Sequence, residues 1–318
     1  MNALLHFGWR RGVWLPCALL CAMPLGAVEA LSAPDPDQPL FAVPTQLDRI
    51  GRILAPVMIN GKGPFRLIID TGANHSTISP RLVEKLGLVP SEDVVKRVLG
   101  VTGSANMPTV FIERLQAGTL VVEGTYLPVI GSSMTADSDG ILGVAGLQNA
   151  RVIVDFRRDR VSITRNLPRE PANEFMTIDA GRMPDGVLTV GATIRGVRAK
   201  AIIDTGAERT LGNLALLDAL RHRGKRRGEP RWTDVTGATE QIAKGESVVA
   251  ATVHLGDVVI SHVDVTYGDF PIFKSWGLED RPAMLVGMDV LGVADMLVID
   301  FHNREVRVRS VTRPYASR

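Results

Sequence analysis

Short apolar runs separated by turn-forming residues dominate the chain from about residue 50 onward. Runs such as 53–59 (ILAPVMI), 65–69 (FRLII) and 197–203 (VRAKAII) are rich in Val, Ile, Leu and Ala, and Gly, Pro, Asn or Asp stand near their ends. Runs of this length favour β-strands, because branched side chains pack well on a pleated surface. The pattern predicts a mostly β fold with few and short helices.

The pattern occurs twice along the chain. In each copy two apolar runs flank a tight-turn dipeptide, Asn60-Gly61 in the first and Arg195-Gly196 in the second. Such dipeptides between alternating apolar runs indicate a β-hairpin. The repeat predicts two duplicated β-rich lobes, an N-terminal one over 50–168 and a C-terminal one over 175–311.

Each copy also predicts one short helix after its hairpin. Ser79 can cap a helix over 80–86 that ends at Gly87, and Asn213 can cap a helix over 214–222. Further strands are predicted downstream, at 110–112, 120–122, 248–255 and 258–265. Each copy then contains two apolar residues before a glycine, at 141–143 and 285–287, and closes on a strand that ends in Asp-Phe.

The same tetrapeptide follows the second hairpin strand in both copies. It comprises Asp70, Thr71, Gly72 and Ala73 in the first copy and Asp204, Thr205, Gly206 and Ala207 in the second. A Val-Thr-Gly segment follows, at Val101, Thr102 and Gly103 and again at Val235, Thr236 and Gly237. Its glycine lies 33 positions after the aspartate in both copies. A tight turn in each copy would account for the presence of Asp, Thr and Gly. It would not account for the same tetrapeptide in both copies with equal spacing to the downstream glycine.

The repeated aspartates indicate a chemistry. If the two copies pack about a pseudo-twofold axis, Asp70 and Asp204 face each other and share a proton, because two adjacent carboxylates do not both ionise easily. The ionised member can then activate a water, and the protonated member can hydrogen-bond a peptide carbonyl. The glycines allow close approach to the pair, and the threonine hydroxyls can bond across the interface.

These motifs resemble those of the aspartic peptidases of the retropepsin and pepsin type, in particular bacterial exported retropepsin-like proteins. The resemblance rests on INGKGPFRLIIDTGANHSTIS and IRGVRAKAIIDTGAERTLGN and extends over about residues 50–310. It implies a bilobal acid-protease fold with one active site, with Asp70 and Asp204 as the catalytic pair and Thr71 and Thr205 as a grip between the lobes. The Val-Thr-Gly segments would be flap tips, although neither carries the tyrosine of pepsin flaps.

The resemblance further implies a polypeptide substrate and an aspartic endopeptidase that needs no cofactor. Both halves of the site are carried by one chain, which predicts a monomer. A non-catalytic peptide-binding or regulatory module that keeps the fold is the alternative. The intact Asp-Thr-Gly in both copies favours the enzyme, since a groove that only binds peptide does not require two facing carboxylates.

Charge and composition argue against several other functions. The 36 Lys and Arg residues nearly balance 34 Asp and Glu residues, for a net charge of +2, and aromatic residues make up only 5%. A nucleic-acid partner is therefore not expected. The six histidines are scattered, so no metal site is expected either.

The N-terminal segment is predicted to be a signal peptide over 1–30, followed by a Pro- and Asp-rich linker over 31–49. Arg10 and Arg11 precede a mostly apolar stretch, which is typical of an export signal. Both cysteines, Cys17 and Cys21, lie within it, so a cleaved chain would have no disulfide, no thiol nucleophile and no thiolate metal site. We expect export, to a periplasm, without stable membrane insertion after cleavage; an uncleaved membrane anchor is the alternative.

Overall fold

The computed structural model describes residues 43–44, 51–131, 138–165, 175–224, 231–239 and 241–309. The predicted signal peptide lies outside the described residues, as does most of the predicted linker. Within that linker, Val43–Pro44 forms a short strand that pairs with Val161 and Arg160. No helix in the described part is long and apolar enough to cross a membrane.

Strands make up most of the described chain and are numbered β1 to β21 in chain order. Their bounds are β1 Val43–Pro44, β2 Leu54–Ile59, β3 Lys62–Ile69, β4 Thr77–Ile78, β5 Pro90–Gly100, β6 Gly103–Ala117, β7 Leu120–Pro128, β8 Gly140–Leu142, β9 Arg151–Asp155, β10 Arg160–Thr164, β11 Met176–Asp179, β12 Gly181–Arg182, β13 Leu188–Ile194, β14 Val197–Ile203, β15 Thr210–Gly212, β16 Arg231–Thr236, β17 Ile242–Leu255, β18 Val258–Tyr267, β19 Ala283–Val286, β20 Met296–Asp300 and β21 Glu305–Arg309. The helices are Pro80–Leu86, Leu214–His222, Pro271–Ser275 and Met288–Leu291, with a 3₁₀ turn at Val144–Gly146.

Each repeat builds its own sheet. In the N-terminal lobe the order is β4-β8-β3-β2-β6-β5, with β7 also paired to β6. In the C-terminal lobe it is β12-β13-β14-β19-β15-β18-β17-β16. In both, the strand that leads into Asp-Thr-Gly runs parallel to the strand of the apolar-apolar-glycine step, β3 beside β8 and β14 beside β19. The predicted mostly β, two-lobed fold is confirmed.

The predicted hairpin turns form at the predicted dipeptides. Asn60 and Gly61 have φ of 50° and 72°, and Arg195 and Gly196 have φ of 47° and 75°. Left-handed backbone at both central residues gives a turn whose twist matches that of the flanking strands. The dipeptides therefore determine where the polypeptide turns from β2 into β3 and from β13 into β14.

Both predicted helices are present with their predicted caps. The Ser79 side chain accepts a hydrogen bond from the Leu82 amide at 3.3 Å, and Asn213 Oδ1 accepts one from the Leu216 amide at 2.9 Å. Gly87 ends the first helix in left-handed conformation, with φ of 68°. Capping side chains satisfy amides that a helix leaves unpaired in its first turn.

The strands after the helices are longer than the sequence predicts. The predictions at 110–112 and 120–122 are wrong in extent, because β6 spans 15 residues and β7 spans nine. The predicted strand at 248–255 likewise begins earlier, at Ile242. The added segments do not form apolar runs, and main-chain pairing with the neighbouring strands holds them in the sheet.

A third sheet joins the two lobes. Its order, β1-β10-β9-β20-β21-β11, places the closing strands of the two repeats next to each other, with Val154 opposite Leu297. Asp155 and Asp300 end these strands, and each accepts hydrogen bonds from the backbone amides two and three residues ahead. Both aspartates therefore stabilise the turns that follow these strands.

A buried ion pair crosses between the lobes inside this sheet. Arg151 donates from Nε and Nη2 to Asp300 Oδ2, both at 2.8 Å, and the two side chains are only 9% and 4% exposed. Burial raises the pKa of Asp300, but the amide and side chain of Asn303 together with Arg151 outweigh it, so the pKa lies below its ordinary value. The ion pair therefore stabilises the fold most at pH values at which Asp300 is ionised.

Replacing Asp300 by Asn should destabilise the fold by about 3 kcal/mol at neutral pH, because Arg151 would remain buried without its carboxylate. Equilibrium unfolding in denaturant measures this change. The matched control is Glu123→Gln, which removes the charge from the exposed Arg114–Glu123 pair and should cost less than about 1 kcal/mol. Equal effects of the two substitutions would contradict the inter-lobe role.

The pH dependence has a definite sign. A carboxyl whose folded pKa is depressed stabilises the fold above its unfolded pKa, and the contribution is lost as the pH falls through the folded value. The stability difference between wild type and Asp300→Asn should therefore shrink below about pH 4.

Candidate active site

Two loops at the ends of β3 and β14 meet between the lobes. The Asp70 amide donates to the Leu142 carbonyl at 3.1 Å, and the Asp204 amide donates to the Val286 carbonyl at 3.0 Å. Each loop thus follows a strand whose end is fixed by a parallel neighbour. The two predicted aspartates are brought to one place from positions 134 residues apart in the sequence.

The two threonines join the loops to each other. Each hydroxyl donates to a carbonyl of the other lobe at 2.6 Å, Thr71 to Ile203 and Thr205 to Ile69. Each hydroxyl also accepts the amide of the other threonine at 3.2 Å. Both side chains are fully buried. The contacts have the geometry expected of the predicted inter-lobe grip.

The carboxyl groups of Asp70 and Asp204 each face the glycine of the opposite loop. A Cβ atom on Gly72 would collide with the Asp204 carboxyl, and one on Gly206 would collide with that of Asp70. Any larger residue at either position would therefore displace a carboxyl, which is the predicted reason for glycine there.

Backbone amides fix the orientation of both carboxyls. Asp70 Oδ1 accepts the amides of Gly72 and Ala73, both at 2.9 Å. Asp204 Oδ1 accepts the corresponding amides of Gly206 and Ala207, at 2.9 and 3.1 Å. One oxygen of each group is thus engaged by two amides of its own loop, which fixes the plane of the carboxyl.

The two carboxyls do not have equivalent surroundings. Burial raises the pKa of Asp70, and a hydrogen bond with Asp204, the amides of Gly72 and Ala73, and the charge of Arg52 lower it only in part. Burial raises the pKa of Asp204, and the negative charge of Asp70 raises it further, so it lies well above its ordinary value. A pair of this kind shares one proton between its members.

Sequence reasoning missed Arg52. Leu54 pairs with Ile68, and the Ile69 amide donates to the Ile53 carbonyl, so the register places Arg52 opposite Asp70. Arg52 is 4% exposed and lines the same cavity as the aspartates. The corresponding register in the other lobe leads from Asp204 to the apolar Val187. Counting back across the Asn60-Gly61 turn would have led to Gly51 instead, because a bulge between Val57 and Ile59 shifts the register by one residue.

Two further hydroxyls support the loops and were also missed. Ser76 Oγ accepts the Gly143 amide at 3.1 Å, and Thr210 Oγ1 accepts the Gly287 amide at 3.2 Å. A Cβ on Gly143 or Gly287 would lie within about 3 Å of carbonyl oxygens of the loop that follows Asp70 or Asp204, which explains the glycine in both apolar-apolar-glycine steps. Aligning the repeats on their aspartates pairs the two hydroxyl residues.

A cavity of about 590 Å³ lies over the two carboxyls. Both lobes line it, and the hairpins β5–β6 and β16–β17 contribute to its wall. His75 and Glu208, which follow the two loops, also line it. In the described part of the chain, no three or more His, Cys, Asp or Glu side chains gather in a way that could hold a metal ion.

The predicted flap residues lie at the turns of these hairpins. Val101 and Thr102 form the turn between β5 and β6, and Gly103 begins β6. Val235 and Thr236 end β16 and line the cavity together with Val101, and Gly237 follows at the turn. The turns touch each other, because a Cβ on Gly237 would lie 2.9 Å from the Thr102 amide nitrogen. Two hairpins, one from each lobe, thus meet beside the cavity.

Replacing Thr71 by Val should destabilise the protein by about 2–4 kcal/mol, because the buried Ile203 carbonyl and Thr205 amide would lose their partner. Denaturant unfolding measures the change. Thr164→Val is the matched control: Thr164 is 4% exposed, and its hydroxyl has no hydrogen-bond partner within the described residues. The control should change stability by less than about 1 kcal/mol, and a similar loss in both variants would contradict the grip.

The comparisons with known proteins agree with this geometry. A family model described as aspartyl protease matches residues 55–145 and 190–290. Among solved structures, the fold is similar to that of the aspartic proteinase from Irpex lacteus, with a TM-score of 0.52 and 13% sequence identity over 84% of this chain and 96% of that chain. No curated protein gives a significant match. Because the two matched segments contain both Asp-Thr-Gly-Ala loops and cover more than half of the sequence, the chain belongs to the aspartyl protease family.

Proposed function

We propose that the protein is an aspartic endopeptidase that hydrolyses peptide bonds with Asp70 and Asp204. The observation that carries the proposal is the facing pair of carboxyls, each held by two amides of its own loop and each confined by the glycine of the other. A cavity of about 590 Å³ beside them has room for several side chains of an extended peptide.

The mechanism follows from the unequal surroundings of the pair. Asp70, with Arg52 opposite it, is the member that carries the charge, and it acts as general base on a water held between the carboxyls. Asp204, whose pKa is raised further, keeps the proton and hydrogen-bonds the carbonyl oxygen of the scissile peptide. The charge that develops on this oxygen in the tetrahedral intermediate is neutralised by that proton. Asp70, which holds the proton taken from the water, donates it to the leaving nitrogen as the C–N bond breaks, and the hydroxyl of the intermediate returns its proton to Asp204 as the carbonyl re-forms.

A peptide-binding module without catalysis is the second candidate. It would use the same cavity and hairpins. Two buried carboxyls would not help it to bind, because each makes ionisation of the other less favourable. Retention of that unfavourable pair favours the enzyme.

Export to the periplasm remains a proposal that rests on the N-terminal pattern of Arg10, Arg11 and the apolar stretch after them. A membrane-anchored form with this segment uncleaved is the alternative. One chain supplies both carboxyls, so we expect the monomer to be the active form.

Replacing either Asp70 or Asp204 by Asn should lower kcat/KM for peptide hydrolysis at least a hundredfold, because each role requires an ionisable carboxyl. A fluorogenic peptide assay measures the loss, and circular dichroism checks that the fold persists. Asp257→Asn, in the exposed turn between β17 and β18, is the control and should keep wild-type activity. More than a tenth of wild-type activity in either dyad variant would refute the assignment.

The pH optimum should lie in mildly acidic to near-neutral conditions. Ala73 and Ala207 donate only their amides to the aspartates, whereas a serine at either position could add a hydroxyl donor to the charged form and lower the pKa. The Ala73→Ser/Ala207→Ser variant should therefore have its acidic limb of kcat/KM at lower pH than wild type. An unchanged limb, or wild-type activity in strong acid only, would contradict this account.

A further inference from the structure

The two halves of the cavity differ in chemistry. In the N-terminal lobe, Val98, Ile130 and Ile141 line the cavity and belong to a small buried cluster with Leu54 and Ile68. This cluster is separate from the main hydrophobic core. Arg52 and Thr77 line the cavity beside this cluster, so the N-terminal half offers a substrate side chain a largely aliphatic surface with these two polar side chains next to it.

The C-terminal half carries a chain of hydroxyl groups instead. Thr233 and Thr266 line the cavity, and Ser247 lies between them, with Oγ 2.9 Å from the Thr233 hydroxyl and 2.8 Å from the Thr266 hydroxyl. The three residues come from the adjacent strands β16, β17 and β18. Ser247 is directly opposite Thr266 in the ladder. The sheet therefore fixes the distances between these three hydroxyl groups.

Packing fixes the direction of the Thr266 hydroxyl. Its methyl group lies against Gly245, where a Cβ atom would collide with it, and its side chain is 2% exposed. With the methyl held on that side, the hydroxyl is turned to Ser247. The neighbouring sheet positions, Leu211 and Leu285, are apolar, so the hydroxyl chain is the polar feature of a mostly apolar wall.

Each threonine hydroxyl has one hydrogen to donate and two lone pairs. A single bond to Ser247 leaves each of them able to bond a ligand. Either hydroxyl of a bonded pair can be the donor, so the chain can present a donor or an acceptor to the cavity. A substrate hydroxyl or amide suits this surface. An aliphatic side chain of the same size would cover the hydroxyls without bonding them, which costs binding free energy.

The charged residues near this half lie at its edge. Asp234 alternates with Thr233 along β16 and is exposed, while Glu208 and Arg209 are 46% and 58% exposed and lie 3.6 Å apart. Water therefore reaches these charges. The hydroxyls of Thr233, Ser247 and Thr266 are neutral and lie among the buried apolar side chains of Leu211 and Leu285.

We propose that Thr233, Ser247 and Thr266 form a specificity subsite for a neutral polar side chain, Ser, Thr, Asn or Gln. The aliphatic cluster opposite takes a branched apolar side chain on the other side of the scissile bond. The proposal rests on the proposed peptidase function of the same cavity and deepens it by naming the substrate class.

The test compares two peptides that differ only by Thr or Val at the position next to the scissile bond, after cleavage of a randomised peptide library has located that position. Wild type should cleave the Thr peptide about 10-fold or more faster in kcat/KM. Thr266→Val and Thr233→Val, separately and combined, should bring the ratio to about one or reverse it. Ile141→Thr should leave this ratio unchanged and alter only the preference across the scissile bond.

If the valine variants unfold, Ser247→Ala is a second test, because it removes the hydroxyl that links Thr233 and Thr266 and leaves both threonines in place. Denaturant unfolding identifies the folded variants. A wild-type preference for aliphatic residues on both sides, or a Thr-to-Val ratio that survives in the folded variants, would overturn the subsite.

Binding measurements distinguish failure of the subsite proposal from failure of the proposed peptidase function. The affinities of wild type and Asp70→Asn for the two peptides can be measured by fluorescence anisotropy, which does not require turnover. Cleavage that does not depend on Asp70 would refute the peptidase. Equal affinity for the Thr and Val peptides, in a protein that cleaves in an Asp70-dependent way, would refute the subsite alone.

Discussion

The bonding of two buried threonines across the lobe interface is the contact on which the rest of this structure depends. Two carboxyls placed side by side in a buried cleft repel each other when ionised, and burial alone disfavours their charge. Thr71 and Thr205 oppose this with four reciprocal hydrogen bonds to the other lobe, at 2.6 and 3.2 Å. The loops are thereby fixed before any ligand arrives, so that the carboxyls need little rearrangement to act on a substrate.

Duplication explains the symmetry of the site, and the two halves also differ at specific residues. Both loops, both amide pairs and both supporting hydroxyls repeat. Arg52 opposes Asp70, whereas the same register in the other lobe leads to Val187, so the two aspartates have different electrostatic surroundings. The walls of the cavity diverge in the same way, from an aliphatic cluster on one side to a hydroxyl chain on the other.

The success and failure of the sequence predictions have separable causes. Hairpin turns and helix caps were predicted at the right residues because left-handed backbone and capping hydrogen bonds depend on residues close in sequence. The lengths of β6 and β17 were not, since their first halves are not apolar runs and are held by main-chain pairing with β5 and β16. Arg52 was missed for a related reason: its importance lies in the residue opposite it.

By itself the sequence determined the fold class, the duplication and the pair Asp70 and Asp204, because repeated motifs with equal spacing leave a direct trace in the chain. Only the tertiary structure decided which hydroxyls meet in the cavity and which carboxyl has a cation opposite it. Thr233 and Thr266 lie on strands separated by β17, and nothing in their local sequence marks them. Contacts of this kind depend on strand order and register, which are set by the packing of the whole sheet rather than by neighbours along the chain.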